Sequence, residues 1–293
     1  MRASKIIGIG IATMDIYCHQ KRMYPGGNEY NIAYNAKLLG ADAAFMGVFA
    51  NDMAGRILEQ TLVDAGVDTS HSHHESGSSG YALVDLKDGD RVFLDWNKQG
   101  VTDLYPFVFT EEEIAYIKTF DVSCISWGAR VNRDRLKKLA AAGVTVCYDF
   151  YDNFTDEDIM GISPYIQYGF FSCSHISEEE AKAVLKKCIE SGCKIAVATR
   201  GHEATVAYDG ENYYYQEICR VRPKDTMGAG DSFISAFLMN YLSAGADGSS
   251  AGDKITASLK EAAKYAAAVI VKDGSLGVGY DVNPDRLSEI INL

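Results

Sequence analysis

Hydrophobic and polar positions alternate along this chain in blocks rather than residue by residue. The run KIIGIGI (5–11) is continuously apolar and ends in a polar turn, the pattern of a strand buried on both faces. NEYNIAYNAKLLG (28–40) spaces its apolar residues helically and stops at a glycine. ADAAFMGVF then predicts a strand, and DMAGRILEQTLVDAG a helix closed by glycine. Farther on, VSCISW (122–127) predicts a strand, RVNRDRLKKLAAAG a helix and VTVCYDF a strand. EEEAKAVLKKCIESG adds a helix and CKIAVAT a strand. Repeated units of this length predict an α/β protein, its mostly parallel sheet covered by helices on both faces.

Two stretches break this rhythm. YALVDLKDGDRVFLDW (81–96) is a pair of β-rich runs around Lys87-Asp88-Gly89-Asp90, which predicts a hairpin. With residues near 12–24 it predicts a small sheet, from about 12–24 and 79–98, inserted in the larger domain. TVAYDGENYYYQ (205–216) predicts a second hairpin turning at Asp209-Gly210. No internal repeat or linker interrupts the chain, so 1–293 is expected to form a single domain.

Composition narrows the function. Lysine and arginine number 28 against 40 acidic residues, a net charge of −12, which argues against binding nucleic acid or an anionic membrane. No apolar stretch approaches bilayer length, and the apolar start ends at Asp15 without a cleavage site. The seven cysteines are scattered with no CxxC, as expected of reduced thiols in a cytoplasmic protein.

Several motifs fail. There is no Gly-Lys pair and hence no Walker loop. GIGIAT and GAGDSF place Thr13 and Phe233 where a dinucleotide fingerprint needs a small residue. His71, His73 and His74 suggest a solvated edge sooner than a metal site.

One motif holds. In KDTMGAGDSF (224–233) a helix begins on Gly228-Ala229-Gly230, small residues, two of them poor helix formers, that leave backbone N–H groups open to an anion. Asp231 beside them could take a proton from a hydroxyl attacking phosphorus, or could merely complement the helix dipole. The cost of the two glycines favours the first. Asn28, Asn31 and Asn35 share a helix face after Gly26-Gly27 and could either bind sugar hydroxyls or cap and solvate the helix start.

DTMGAGDSFISAF, PGGNEYNIAYNAKLLG and ATRGHEATVAYDG resemble, in order and spacing, the signatures of the PfkB/ribokinase family of carbohydrate kinases. The resemblance implies a ribokinase-like three-layer αβα sandwich with a small β-sheet lid. It implies Asp231 as general base, with Gly228, Ala229 and Gly230 as the anion hole. Asp15, Gly27, Asn28 and Asn31 would hold the sugar; Thr199, Gly201, Asp225, Thr226, Gly228 and Gly230 would hold ATP. Magnesium is expected with the nucleotide, and a monovalent cation such as K+ near the loop. The family's Asn-x-x-Glu becomes Ser177-x-x-Glu180, which leaves Glu180 between a role at the metal and a capping box. Ala204 replaces the last glycine of the family's nucleotide loop.

DRVFLDWNKQGVTD (90–103) and ISWGARVNRDRLKKLAAAGVTVCYDF (125–150) resemble the branch of the family that phosphorylates fructoselysine on its 6-hydroxyl. There, Asp95 and Trp96 on the lid could either receive a cationic amine or be an exposed acid and a packed aromatic. The alternatives are a kinase for a plain ketose, pentose or nucleoside, and a non-catalytic sugar sensor that would have no need of both Asp231 and the Gly-Ala-Gly turn. The lid is expected to pair with a second copy in a homodimer.

Overall fold

The computed structural model describes residues 3–87, 90–97, 99–243 and 250–291. The chain opens with β1 (Lys5–Gly10), enters the lid as β2 (Thr13–Tyr17) and β3 (Arg22–Gly26), and returns as α1 (Asn28–Leu38) and β4 (Asp42–Ala50). After α2 (Met53–Ala65) and β5 (His73–Glu75) come two more lid strands, β6 (Gly80–Lys87) and β7 (Asp90–Trp96). Then follow α3 (Val101–Leu104), α4 (Glu111–Ile117), β8 (Val122–Ser126), α5 (Arg133–Ala141), β9 (Val146–Asp149) and α6 (Asp156–Ile162). β10 (Tyr168–Ser172), α7 (Glu178–Glu190), β11 (Ile195–Arg200), β12 (Glu203–Tyr208) and β13 (Tyr213–Gln216) complete the main sheet. Two long helices, α8 (Ala229–Ser243) and α9 (Ala251–Val269), precede β14 (Tyr280–Asp281).

The nine strands of the main sheet lie in the order β13-β12-β11-β10-β9-β8-β1-β4-β5, parallel except for the final β11–β12–β13 meander. One apolar core gathers residues of α1, α2, α8 and α9 against one face, and a second gathers those of α4 to α7 against the other. The predicted three layers are therefore present. Chain direction across the sheet reverses at β1, which pairs with both β4 and β8, and ligands of such sheets bind beyond the carboxyl ends of the strands there.

The lid is a five-stranded sheet, β14-β3-β2-β6-β7. It extends the predicted spans: β3 runs to Gly26, and β14 adds Tyr280 and Asp281 against Met23 and Arg22. The flanks of the first predicted hairpin pair as β6 and β7, while its turn at Asp88 and Gly89 lies outside the described residues. At the second hairpin, Gly210 has φ +98° and Asp209 Oδ1 accepts from Asn212 N at 2.8 Å.

Candidate active site

Asp225 builds the glycine turn before α8. Its Oδ1 accepts from Met227 N at 2.9 Å, while Oδ2 accepts from Gly274 N at 2.9 Å and from the Tyr17 hydroxyl at 2.7 Å. This buried carboxylate thus ties the turn to the lid. Gly228 has φ +72°, and a Cβ there would lie 2.7 Å from the Ser275 Cβ, so both conformation and space require glycine. Gly230 differs: nothing lies within 4 Å of where its Cβ would be. A side chain at this position would enter open space beside the helix start.

Asp231 follows on the first turn of α8, only 6% exposed. Its Oδ1 accepts from Asn28 Nδ2 at 3.1 Å and its Oδ2 from Asn31 Nδ2 at 2.7 Å. Ser275 Oγ, 2.9 Å from Asn31 Oδ1, fixes the orientation of that amide. The structure therefore brings together three residues singled out from opposite ends of the sequence. Gly27, with φ +118° and its virtual Cβ 2.3 Å from Ile11 O, lets α1 start hard against the end of β1. Asp15 is buried on β2, close to Gly26 at the base of the lid. Asn35 donates to Asn31 O and accepts from the Tyr265 hydroxyl, a structural position.

Two further acids belong to this cluster. Asp149, at the carboxyl end of β9, has Oδ2 3.4 Å from Asn28 Nδ2, so one amide nitrogen serves both Asp149 and Asp231. Glu29 is fully buried; its Oε2 accepts from Ile11 N at 3.1 Å, and its Oε1 has no hydrogen-bond partner. The sequence reading passed over both. The signals were an acid closing an apolar strand in VCYD and an acid among residues of α1 that the core requires. Burial raises all three carboxyls: Glu29 to about 7, Asp149 to about 6, and Asp231 well above the usual range, with neighbouring acids adding to the effect.

This has a consequence for stability. A carboxyl whose folded pKa exceeds its unfolded value favours the fold below the unfolded pKa, and that contribution is lost as pH rises through the folded one. For Glu29 the window runs from its ordinary 4.5 to about 7. Glu29→Gln should therefore raise stability at pH 8 by about 2–3 kcal/mol and leave it nearly unchanged at pH 4. Melting curves of both proteins at the two pH values check this.

Beside the turn lies a cavity of about 490 Å³, lined by Ala263, Ala266 and Ala267 of α9 together with Thr199, Gly201 and Thr226. Ala229 and Gly230 line it too. An apolar slot leading to a bare helix N-terminus suits a nucleotide, the base between small side chains and the phosphates at the turn. Among the described residues no three acids, histidines or cysteines converge on a metal position. A magnesium ion carried largely by phosphate oxygens and water fits such a site.

Other candidates stand elsewhere. Register places Asp15, Ala82 and Trp96 on one face of the lid, and Ile16, Leu83 and Asp95 on the other. Trp96 thus shares the face of Asp15; Asp95 does not, and its Oδ1 accepts from Trp96 N at 2.8 Å. Glu180 Oε2 accepts from Ser177 N at 2.8 Å and Oγ at 2.7 Å in a capping box at the start of α7. The three histidines are separate: His73 meets Glu113, His74 meets Glu59, and His71 stacks on Tyr116. No described helix is long and apolar enough to cross a membrane.

Residues 4–278 match the pfkB family of carbohydrate kinases. The chain belongs to that family. It is 34% identical over 286 residues to fructosamine kinase FrlD of Bacillus subtilis (strain 168), covering 97% of this chain and 96% of that one. It is 31% identical to fructoselysine 6-kinase of Escherichia coli (strain K12), covering 80% of this chain and 87% of its relative. Among solved structures, Arabidopsis thaliana ribokinase complexed with ribose and ATP superimposes with a TM-score of 0.78 at 20% identity, over 94% of this chain and 95% of that one. Fructokinase with bound ATP from Xylella fastidiosa gives 0.76 at 19%, over 92% and 93%. The fold is ribokinase-like, and the protein is a sugar kinase that uses ATP.

Proposed function

We propose that this kinase phosphorylates the 6-hydroxyl of fructoselysine or a related fructosamine. The observation that supports kinase chemistry at this place is Asp231, held between Asn28 and Asn31 next to the open turn at Gly230. The fructosamine reading rests on the two relatives at 31–34% identity.

The sugar hydroxyl attacks the γ-phosphorus, the bond to the leaving ADP oxygen breaks, and the hydroxyl proton passes to a carboxylate oxygen of Asp231. Each Asp231 oxygen accepts one amide bond, which orients the carboxylate and leaves lone pairs for the hydroxyl. Burial raises the Asp231 carboxyl well above the usual carboxylate range, making it a stronger base once ionised. The start of α8 at Gly228 and Gly230 would receive the γ-phosphate, and Asp225 fixes the turn before it by accepting from Met227 N and Gly274 N. Bound magnesium would neutralise charge on the phosphates. Asp15, Asn28 and Gly27 orient the sugar. A second copy is the expected cover for the exposed Leu94 and Trp96 on the lid's edge strand β7.

An ADP-release screen over fructoselysine, fructose, ribose and nucleosides tests the reading. Fructoselysine should lead in kcat/KM by about tenfold or more, the size of one charged contact. Equal or better turnover of ribose or a nucleoside would remove the fructosamine assignment.

A further inference from the structure

Glu29, Asp149 and Asp231 come from three separate elements, and none is more than 7% exposed. Among the described residues none of them meets a lysine or arginine; their partners are the amides of Asn28 and Asn31, the backbone N–H groups of Ile11 and Tyr151, and the Ser126 hydroxyl beside Glu29. Neutral donors of this kind leave three buried carboxylates without a countercharge, and an uncompensated buried charge is costly. The clearest sign of a missing partner is Glu29 Oε1, wholly buried and without a hydrogen bond. It lies in the same cluster: Glu29 packs on Gly10 and Ala129 and bonds to the chain where β1 ends, and its charge is felt at Asp231 and Tyr151.

A cation supplied by the substrate would complete this arrangement. A metal is the poorer candidate, because these groups do not converge in ligating geometry. In a fructosamine the sugar C1 carries a secondary amine, protonated at neutral pH, at the end of the hexulose remote from the 6-hydroxyl. Asp149 and Asp231 share Asn28 Nδ2, so they lie within two hydrogen-bond lengths of each other. That separation is of the order of one sugar ring. Resting on the fructosamine reading above, we propose that Asp149, with the charge of Glu29 behind it, receives the protonated C1 amine while Asp231 addresses the 6-hydroxyl. Asp95, on the opposite face of the lid from Asp15, has no part in this contact.

The test compares fructoselysine with a neutral 1-O-alkyl fructose ether, which keeps the ring and the chain but lacks the charge. In the unaltered enzyme, kcat/KM should favour the amine. Asp149→Asn should lower that preference about 10- to 100-fold, the effect of losing an ionic partner from a buried hydrogen bond. Glu29→Gln, which keeps the acceptor to Ile11 N, should lower it by a smaller factor, and it serves if Asp149→Asn folds poorly in melting curves. An amine preference that survives in both variants overturns the role of Asp149 while the fructosamine assignment stands. An unaltered enzyme that turns over the ether as well as the amine overturns the proposal, and one that also turns over ribose or a nucleoside as well as fructoselysine overturns the fructosamine assignment with it.

Discussion

Asp231→Asn is expected to lower kcat by about 10²–10⁴ while changing the melting temperature by only a few degrees. The rate effect follows from losing the proton acceptor; a loose phosphoryl transition state with late proton transfer would place it at the lower end. The small effect on stability reflects two opposed terms. Asparagine removes a charge whose burial, with Asp149 and Glu29 nearby, is unfavourable. It also sets an amide N–H₂ against one of the donors from Asn28 and Asn31, so one of those bonds is lost. ATP affinity should hold or tighten, since a negative charge leaves the neighbourhood of the triphosphate. Turnover, nucleotide affinity and melting measured on one preparation decide the matter. A near-normal kcat would end the role of Asp231 as base, and a large fall in melting temperature would make the residue structural.

Alanine at Gly228 and at Gly230 should have opposite effects on stability although both impair the reaction. At Gly228 a Cβ meets Ser275 at 2.7 Å on a backbone with φ +72°, so Gly228→Ala should cost about 2–4 kcal/mol and lower the melting temperature by about 5–10 °C. At Gly230 the Cβ enters empty space on a helix, so Gly230→Ala should leave stability equal or up to about 1 kcal/mol higher. The same methyl occupies the approach to the turn, and kcat/KM for ATP should fall by at least about tenfold. Melting curves and ATP titrations of the two variants test this. Full activity in Gly230→Ala would show that no phosphate approaches there.

The periodic blocks carried the architecture because buried parallel strands and amphipathic helices differ in period, and glycine stops mark their ends. β10 escaped, since YGFFS is short, carries a glycine inside and shows no alternation of apolar and polar positions. β14 escaped because a two-residue strand has no period. In the site, Asp231 and Asn31 were legible: small residues before an acid, and amides at helical spacing, restrict the chemistry locally. Asp149 and Glu29 were not, because their significance lies in sharing a space formed by three elements. Asp95 shows the converse. Adjacent residues of a strand point to opposite faces, and only the register to β6 and β2 tells that Trp96, not Asp95, shares the face of Asp15.

The Tyr17 hydroxyl, donated at 2.7 Å to Asp225, joins the strand that carries Asp15 to the turn that carries Gly228. Any movement of that strand when sugar arrives is transmitted to the turn through a buried bond that is costly to break. If that strand moves when sugar binds, sugar and nucleotide would not bind as independent ligands. If sugar tightens ATP by some factor, ATP must tighten sugar by the same factor, because the two orders of addition enclose one thermodynamic cycle.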